Sequence, residues 1–411
     1  MSSPDSLAGP RPRATLLSID EASELIAAHV TPLPAEQVAL EQAYGRYIAE
    51  DLHAAIDLPP FAASAMDGYA VRAEDTPGRL TVVGESSAGS PYLGELRPGE
   101  AVAISTGAVV PAQADAVVPV EDVSGDGEQI ELTAPVAPAA FVRSRGSDIE
   151  RGDLILAAGT RLGSAQIGAA AAVGLGAVSC RRRPSVAVLT TGSELRQPGE
   201  LLADGQIYDA NGPMMTAALL TSGAGVEHIP AAADTSEAHR AALIRALEHD
   251  VVISSGGVSV GPHDLVRSIG SELGVREVFW RIALRPGKPL AFGVRGSTLV
   301  FGLPGNPVSS LVCFELFVRP ALLALQGAPV VRPAWSSGVL GAAVQPQQTR
   351  DDLIRVRFDS TDRSAVLIPL KGQQSHQIAI TAQADALARI PMGDAELPAG
   401  TEVAYLPLAR S

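Results

Sequence analysis

The sequence predicts a multidomain α/β-plus-β protein built around a doubly wound domain with a parallel sheet. Three observations carry that expectation. Residues 184 to about 327 alternate apolar strand-length runs with helix-length segments, the rhythm of a parallel sheet covered on both faces. Residues 57–141 carry short β-type runs cut by Pro and Gly, the texture of a small all-β domain. Past a Pro-rich stretch at about 328–333 the helical segments end, and the rest reads as a small β-barrel or sandwich. At roughly 150 residues per domain, 411 residues suit two to four domains.

Taken in order, residues 1–13 (MSSPDSLAGPRPR) are polar and Pro-rich, as in a loose tail. Ser18-Ile-Asp-Glu21 is a capping-box pattern, opening a helix with apolar positions at Leu25, Ile26 and Val30. Strand-like runs follow at 80–83, 101–104, 116–120 and 129–132. Residues 143–180 return to mixed structure, with a Gly/Ala-rich helix near 165–173. Whether that helix pairs with the N-terminal one, making the β region an insertion, the residues alone leave open. The α/β segment then runs strand 185–190, helix 214–221, strand 226–230, helix 236–248 and strand 251–254. A glycine loop, a short helix and strands at 277–282, 290–294 and 298–302 complete it.

Composition excludes several function classes. The 31 basic and 45 acidic residues give a net charge of −14, which argues against general nucleic-acid binding. An anionic ligand must then be held by a local constellation of groups. Two cysteines, Cys180 and Cys313, exclude a disulfide scaffold or a CxxC zinc site. The seven histidines show no metal-ligand spacing. No signal peptide is visible, and the longest apolar stretch, 162–178, is Ala/Gly-rich and short for a bilayer span. A cytoplasmic protein without membrane insertion is the expectation. Of the 31 basic residues only Lys288 and Lys371 are lysine, so Lys288 stands against a strong preference for arginine.

Four loops fall at or near strand C-terminal ends, where such sheets bind ligands. They are Thr190-Thr-Gly-Ser-Glu-Leu195, Ser254-Ser-Gly-Gly-Val-Ser-Val-Gly261, Arg285-Pro-Gly-Lys-Pro289 and Leu303-Pro-Gly-Asn-Pro307. Glycine and serine after an apolar strand present backbone N–H groups to a phosphate. One such loop alone is an ordinary turn. Several together, with Glu194, Asp264 and Lys288 in or beside them, suggest a phosphate cradle with carboxylates for Mg²⁺. Gly257-Val-Ser-Val-Gly261 also fits the G-x-S-x-G elbow of α/β-hydrolases, and Asp351 or Asp352 with His376 supplies the chain order. Those partners fall in the all-β region, and no HGGG-type segment accompanies them. A Walker A motif is absent, because Gly287-Lys288 is followed by Pro289. The run Arg181-Arg182-Arg183 reads as a solvated junction.

The loops resemble those of the molybdopterin molybdenumtransferase family, which includes MoeA and the gephyrin and Cnx1 E-domains. The resemblance spans the chain from about residue 15. It rests on Ser64-Ala-Met-Asp-Gly-Tyr-Ala70, Ser105-Thr-Gly-Ala108, Gly146-Ser-Asp-Ile149, Thr191-Gly-Ser-Glu-Leu195 and Gly205-Gln-Ile-Tyr-Asp209. It continues through Ser255-Gly-Gly-Val-Ser-Val-Gly261, Pro286-Gly-Lys-Pro289 and Gly302-Leu-Pro-Gly-Asn-Pro307.

The resemblance implies four domains. A mixed one (15–54 and 144–183) is interrupted by an inserted β domain (55–143), followed by the α/β molybdopterin-binding domain (184–327) and a C-terminal β-barrel (328–411). It implies a homodimer whose cleft is shared between subunits. It also implies release of AMP from adenylylated molybdopterin and insertion of molybdate with the help of Mg²⁺. Carried over by motif, Asp67, Thr106, Glu194, Asp264 and Lys288 would be catalytic. Gly192, Ser193, Asp209, Asn211, Ser255, Gly256, Gly257, Ser259, Gly261, Pro304, Gly305, Asn306 and Pro307 would bind the pterin nucleotide. Glu194, Asp234 and Asp264 would place Mg²⁺, and Arg285, Lys288, Arg350 and Ser375 would hold molybdate. The chain departs from the family pattern at Ser193, where an acid is usual, and at Arg281 and Arg285, where lysine is common. A gephyrin-like scaffold that binds a partner protein's peptide is the alternative from another class; acids beside a phosphate cradle favour the enzyme.

Overall fold

The computed structural model describes residues 16–229, 235–256, 265–359 and 365–408. The tail at 1–13 lies outside them. The chain forms two compact units, one of Gln37–Cys180 and one joining the residues up to Glu36 to those from Arg181 onward.

In the first unit, six strands form a sheet in the order Ala116–Pro119, Gly68–Val71, Glu100–Ile104, Gly78–Ser86, Gln129–Leu132 and Ser124–Gly125. Alternation decides its two faces. Val71, Leu80, Ala101, Ala116 and Ile130 close one core, while Ala70, Val102, Ile104 and Val117 close another. Gly68 lies opposite both Ile104 and Pro119, and a Cβ there would stand 1.9 Å from the Val118 carbonyl oxygen. Only glycine lets these backbones pass so closely. The Ser164–Ala172 helix packs Ala170 against Val38, Leu40 and Val178 in a separate small core.

The second unit contains the α/β domain. Its elements are β1 (Ser185–Thr190), α1 (Asn211–Thr221), β2 (Gly225–Ile229), α2 (Ser236–Ala246), β3 (Val251–Ser255), α3 (Leu265–Glu272), β4 (Arg276–Trp280), β5 (Ala291–Arg295) and β6 (Thr298–Leu303). The sheet order is β2-β1-β3-β6-β5-β4. β2, β1, β3 and β6 are parallel, whereas β5 runs antiparallel to both β6 and β4. The sheet is therefore mixed rather than wholly parallel. The β5–β6 link is only Gly296-Ser297, and so short a connection makes a hairpin, not a crossover. Val186, Val188, Val251 and Ile253 face one core, and Ala187, Leu189 and Val252 face the other.

The N-terminal helix Ile19–Ala27 is capped as its pattern predicts: Ser18 N donates to Glu21 Oε2 at 2.7 Å, and Glu21 N to Ser18 Oγ at 3.2 Å. Its buried Ile19, Ala22 and Ile26 pack into the α/β core. The helix Pro307–Leu325 crosses the same core. By length and composition it would span a bilayer, yet 83% of its apolar window is buried within the protein. It widens into a π turn over Phe314–Val318, just before Pro320. The wider turn accommodates the proline ring, which would otherwise press on the carbonyl four residues earlier.

Five strands close the C-terminal barrel: Ser336–Leu340, Asp351–Phe358, Val366–Pro369, Ala386–Ile390 and Glu402–Pro407. Its interior is filled by Leu340, Ile354, Val356, Leu367, Ala388 and Val403. The short strand Leu284–Arg285, from the α/β domain, pairs in parallel with Asp351 and Asp352.

Candidate active site

Sheet topology gathers the loops. β1, β3 and β6 are adjacent and parallel, so the loops after Thr190, Ser255 and Leu303 leave at one edge. β5 runs the opposite way, which brings its N-terminal loop, Arg285–Pro289, to that same edge. Two adjoining cavities open there, and both are lined by Pro289, Pro304 and Asn306.

The first cavity, about 490 Å³, is also lined by Thr190, Thr191, Glu194, Asp209, Asn211, Ser255, Gly256 and Gly305. Asn211 Nδ2 donates to Ser255 Oγ and to the Gly305 carbonyl, both at 2.7 Å, and so ties three loops together. Asp209 is buried, and its Oδ1 accepts from Gly212 N at 2.9 Å at the start of α1. Its Oδ2 has no hydrogen-bond partner among the described residues and lies 3.8 Å from His228 Nε2, which is 3.2 Å from Thr190 Oγ1. A Cβ on Gly212 would meet both Asp209 and His228 below 3 Å, so only glycine permits that approach. At Gly192, with φ +149°, a Cβ would stand 2.6 Å from the Glu194 carboxylate. Ser193 is exposed, and its carbonyl accepts from Arg196. Pro307 occupies the first turn of its helix, where its missing N–H costs nothing.

The second cavity, about 270 Å³, is cationic. Arg285, Lys288 and Arg350 line it together with Gln373, Gln374 and Ser375. The pairing of Leu284–Arg285 with Asp351–Asp352 is what carries Arg350 to the α/β loop. Arg285 Nη1 donates to Asp352 Oδ2 at 3.3 Å. Burial pushes the Asp352 carboxyl above its usual range, against the pull of Arg285, Arg355 and Arg350. Asn306 Nδ2 donates to Ser375 Oγ at 3.1 Å, which joins the barrel to the loop after β6.

Gly257, Ser259, Gly261 and Asp264 lie outside the described residues, as does Asp234. Among the described residues no three His, Cys, Asp or Glu side chains gather into a metal site. Glu194, on the wall of the first cavity, fits as one donor to Mg²⁺. Asp67 and Thr106 come together within the Gln37–Cys180 unit: Asp67 Oδ1 accepts from Thr106 N at 2.7 Å. Opposed Gly68 and Ile104 set that meeting, because both residues sit just beyond the pair. Ser64 reinforces it, exchanging backbone bonds with Gly107 and Ala108.

The hydrolase elbow loses its partners. Asp351 binds Arg389 and the Met392 amide, and Asp352 binds Arg285, so neither orients a histidine. His228, Arg355 and Gln373, which line or support the site, went unread in the sequence, and Asp352 was read only as a possible hydrolase partner. Their contacts join segments well separated in the chain, which leaves no local motif.

Comparison with known proteins identifies the family. Residues 17–174 match the MoeA N-terminal region (domain I and II), 187–324 a probable molybdopterin binding domain, and 337–408 the MoeA C-terminal region (domain IV). Molybdopterin molybdenumtransferase 2 of Mycobacterium tuberculosis is 36% identical over 401 residues, covering 94% of this chain and 98% of that protein. The Haemophilus influenzae molybdopterin molybdenumtransferase is 38% identical over 319 residues, 76% of this chain and 78% of that one. The crystal structure of a molybdopterin biosynthesis MoeA protein from Pyrococcus horikoshii superposes with a TM-score of 0.82 at 36% identity, covering 96% of this chain and 99% of its own. With the three family regions matched along its length and 36–38% identity to molybdopterin molybdenumtransferases over most of it, the chain belongs to the molybdopterin molybdenumtransferase (MoeA) family and is a transferase of molybdenum cofactor biosynthesis.

Proposed function

We propose that the chain releases AMP from adenylylated molybdopterin and inserts molybdate at the dithiolene, giving Mo-molybdopterin. The observation that carries this reading is the pair of adjoining cavities, one with a carboxylate and polar loops, the other with three cations. A pterin nucleotide suits the first. A tetrahedral dianion suits the second, where Arg285, Lys288 and Arg350 supply charge and Ser375 a hydroxyl donor. The shared wall of Pro289, Pro304 and Asn306 would bring dithiolene and oxyanion side by side.

In this mechanism Asn211 and Ser255 orient the nucleotide, with Gly256, Pro304, Gly305 and Asn306 shaping the wall around it. The Gly257, Ser259 and Gly261 amides would hold the pyrophosphate. Mg²⁺ bound there would supply positive charge to offset that on the departing phosphate. Glu194 would hold it, with Asp234 and Asp264 as further donors. Asp67 and Thr106 would enter the cleft from a second subunit of a homodimer, with the four-domain division given above and a cytoplasmic setting.

The direct test is to mix purified protein with adenylylated molybdopterin, molybdate and Mg²⁺ and follow AMP. AMP release that depends on molybdate supports the reading; none under any Mg²⁺ concentration overturns it.

A further inference from the structure

The wall of the cationic cavity is held from behind by a residue that does not line it. Arg355 is fully buried on the strand Asp351–Phe358. Its Nη2 donates to the carbonyls of Gly372 (2.8 Å) and Gln374 (3.3 Å). The Gln373 side chain completes the clamp: its Oε1 accepts from Arg355 N at 2.9 Å, and its Nε2 donates to Arg355 O at 3.0 Å. That amide takes the place of a strand neighbour just where the ladder to Val366–Pro369 ends, at Val356 and Pro369. Outside the clamp, Gln377 Oε1 accepts from Gln374 N at 2.8 Å.

So much holding of one irregular segment needs a reason. The segment carries Gln373, Gln374 and Ser375, the polar wall of the cavity, opposite Arg285, Lys288 and Arg350. Nε and Nη1 of Arg355 have no hydrogen-bond partner among the described residues, although leaving buried guanidinium N–H groups unbonded is costly. Asp352 is the acid that offsets this charge, and Arg285 shares it. Arg285, Lys288, Arg350 and Arg355 outnumber Asp352 here, a surplus of positive charge that suits an anion.

We infer that Arg355 is a positioning residue of the oxyanion cavity: clamping the Gly372–Ser375 segment, it sets the wall against which a tetrahedral dianion binds. The inference rests on the molybdate reading of that cavity. Both carbonyls are met by the one nitrogen Nη2, held in place by the planar guanidinium. A lysine keeps the charge but carries it on a shorter, more flexible stem that is not pre-organised toward them.

Equilibrium dialysis of the full chain with molybdate, alongside thermal melting, tests it. Arg355→Lys should fold yet bind molybdate at least tenfold more weakly, raising KM for molybdate while kcat at saturation stays near wild type. Gln377→Ala, which loosens the same segment without touching the cavity, should weaken binding by a smaller factor. Wild-type affinity in a folded Arg355→Lys overturns the inference, because charge alone then suffices. If Arg355→Lys fails to fold, Gln377→Ala decides: wild-type affinity there makes Arg355 merely structural and overturns it as well. Failure of the wild-type protein to bind molybdate at all would instead sink the molybdate reading itself.

Discussion

Asn211 and Ser255 meet at 2.7 Å, although 44 residues separate them, and the same Asn211 amide also holds the Gly305 carbonyl at 2.7 Å. One side chain thus fixes the spacing of the loops after β3 and β6, while its own helix follows the β1 loop. Asn211 Oδ1 has no partner among the described residues, which leaves an acceptor for a ligand N–H or hydroxyl.

Asn211→Ala should therefore fold and lose activity. Misplacing a binding loop by about 1 Å can cost on the order of 10² in rate. AMP release should fall by roughly that factor, with a small change in melting temperature. Near-wild-type turnover would show that the loops hold their places without this tie.

Glu194 reaches the cavity because Gly192 leaves its carboxylate room. Glu194→Ala and Asp264→Ala should each fold and lower AMP release by on the order of 10²–10³, as when a key electrostatic element is removed. Activity should remain dependent on Mg²⁺ but require more of it. Wild-type turnover in either variant rejects the assignment of that acid.

Arg182 and Asp250 supply a prediction about stability. Two guanidinium bonds, at 2.9 and 2.8 Å, join Ser185 N and Ser185 Oγ on this carboxylate, which closes the start of β1. Burial pushes the Asp250 carboxyl up, yet the Arg182 and Ser185 bonds together hold it below its usual range. A lowered folded value means the stabilisation is complete above the ordinary carboxylate range and lost as pH falls through that lower value. Asp250→Asn should cost about 1–2 kcal/mol at pH 7, discounted because Arg182 is 39% exposed. Urea unfolding should show the gap between wild type and variant shrinking as pH drops below about 4. A gap that widens with acid would contradict the sign.

Much of this was legible in local sequence, and what was not has a physical cause. The capping box at Ser18 and Glu21 and the order of α/β elements read directly, because caps and periodicity are local signals. Strand direction beyond β3 did not, since the hairpin at Gly296-Ser297 looks like any other loop until its partners are known. Arg182 read as solvated but pairs with a residue 68 positions away. Arg285 and Arg350 were suggested only by resemblance, because their meeting depends on the Leu284–Arg285 pairing with the barrel. His228 carried no signal at all: its contact with Asp209 spans β2 and the segment before α1.

The last prediction concerns the shared cleft. Asp67 sits with Thr106 in the Gln37–Cys180 unit, and Asp264 follows β3 in the sequence. If these acids serve one cleft only across a dimer interface, each single variant, Asp67→Ala or Asp264→Ala, should be nearly inactive as a homodimer. In a mixed dimer one cleft would carry both lesions and the other neither. Co-expressing the two variants with different tags and isolating the heterodimer should then restore about half of wild-type activity per dimer, as two equivalent sites under two-fold symmetry require. If both acids came from one chain, every cleft in the mixed dimer would carry one lesion and no activity would return. Sedimentation of the wild-type protein as a monomer would remove the second subunit, and with it the role proposed for Asp67 in trans.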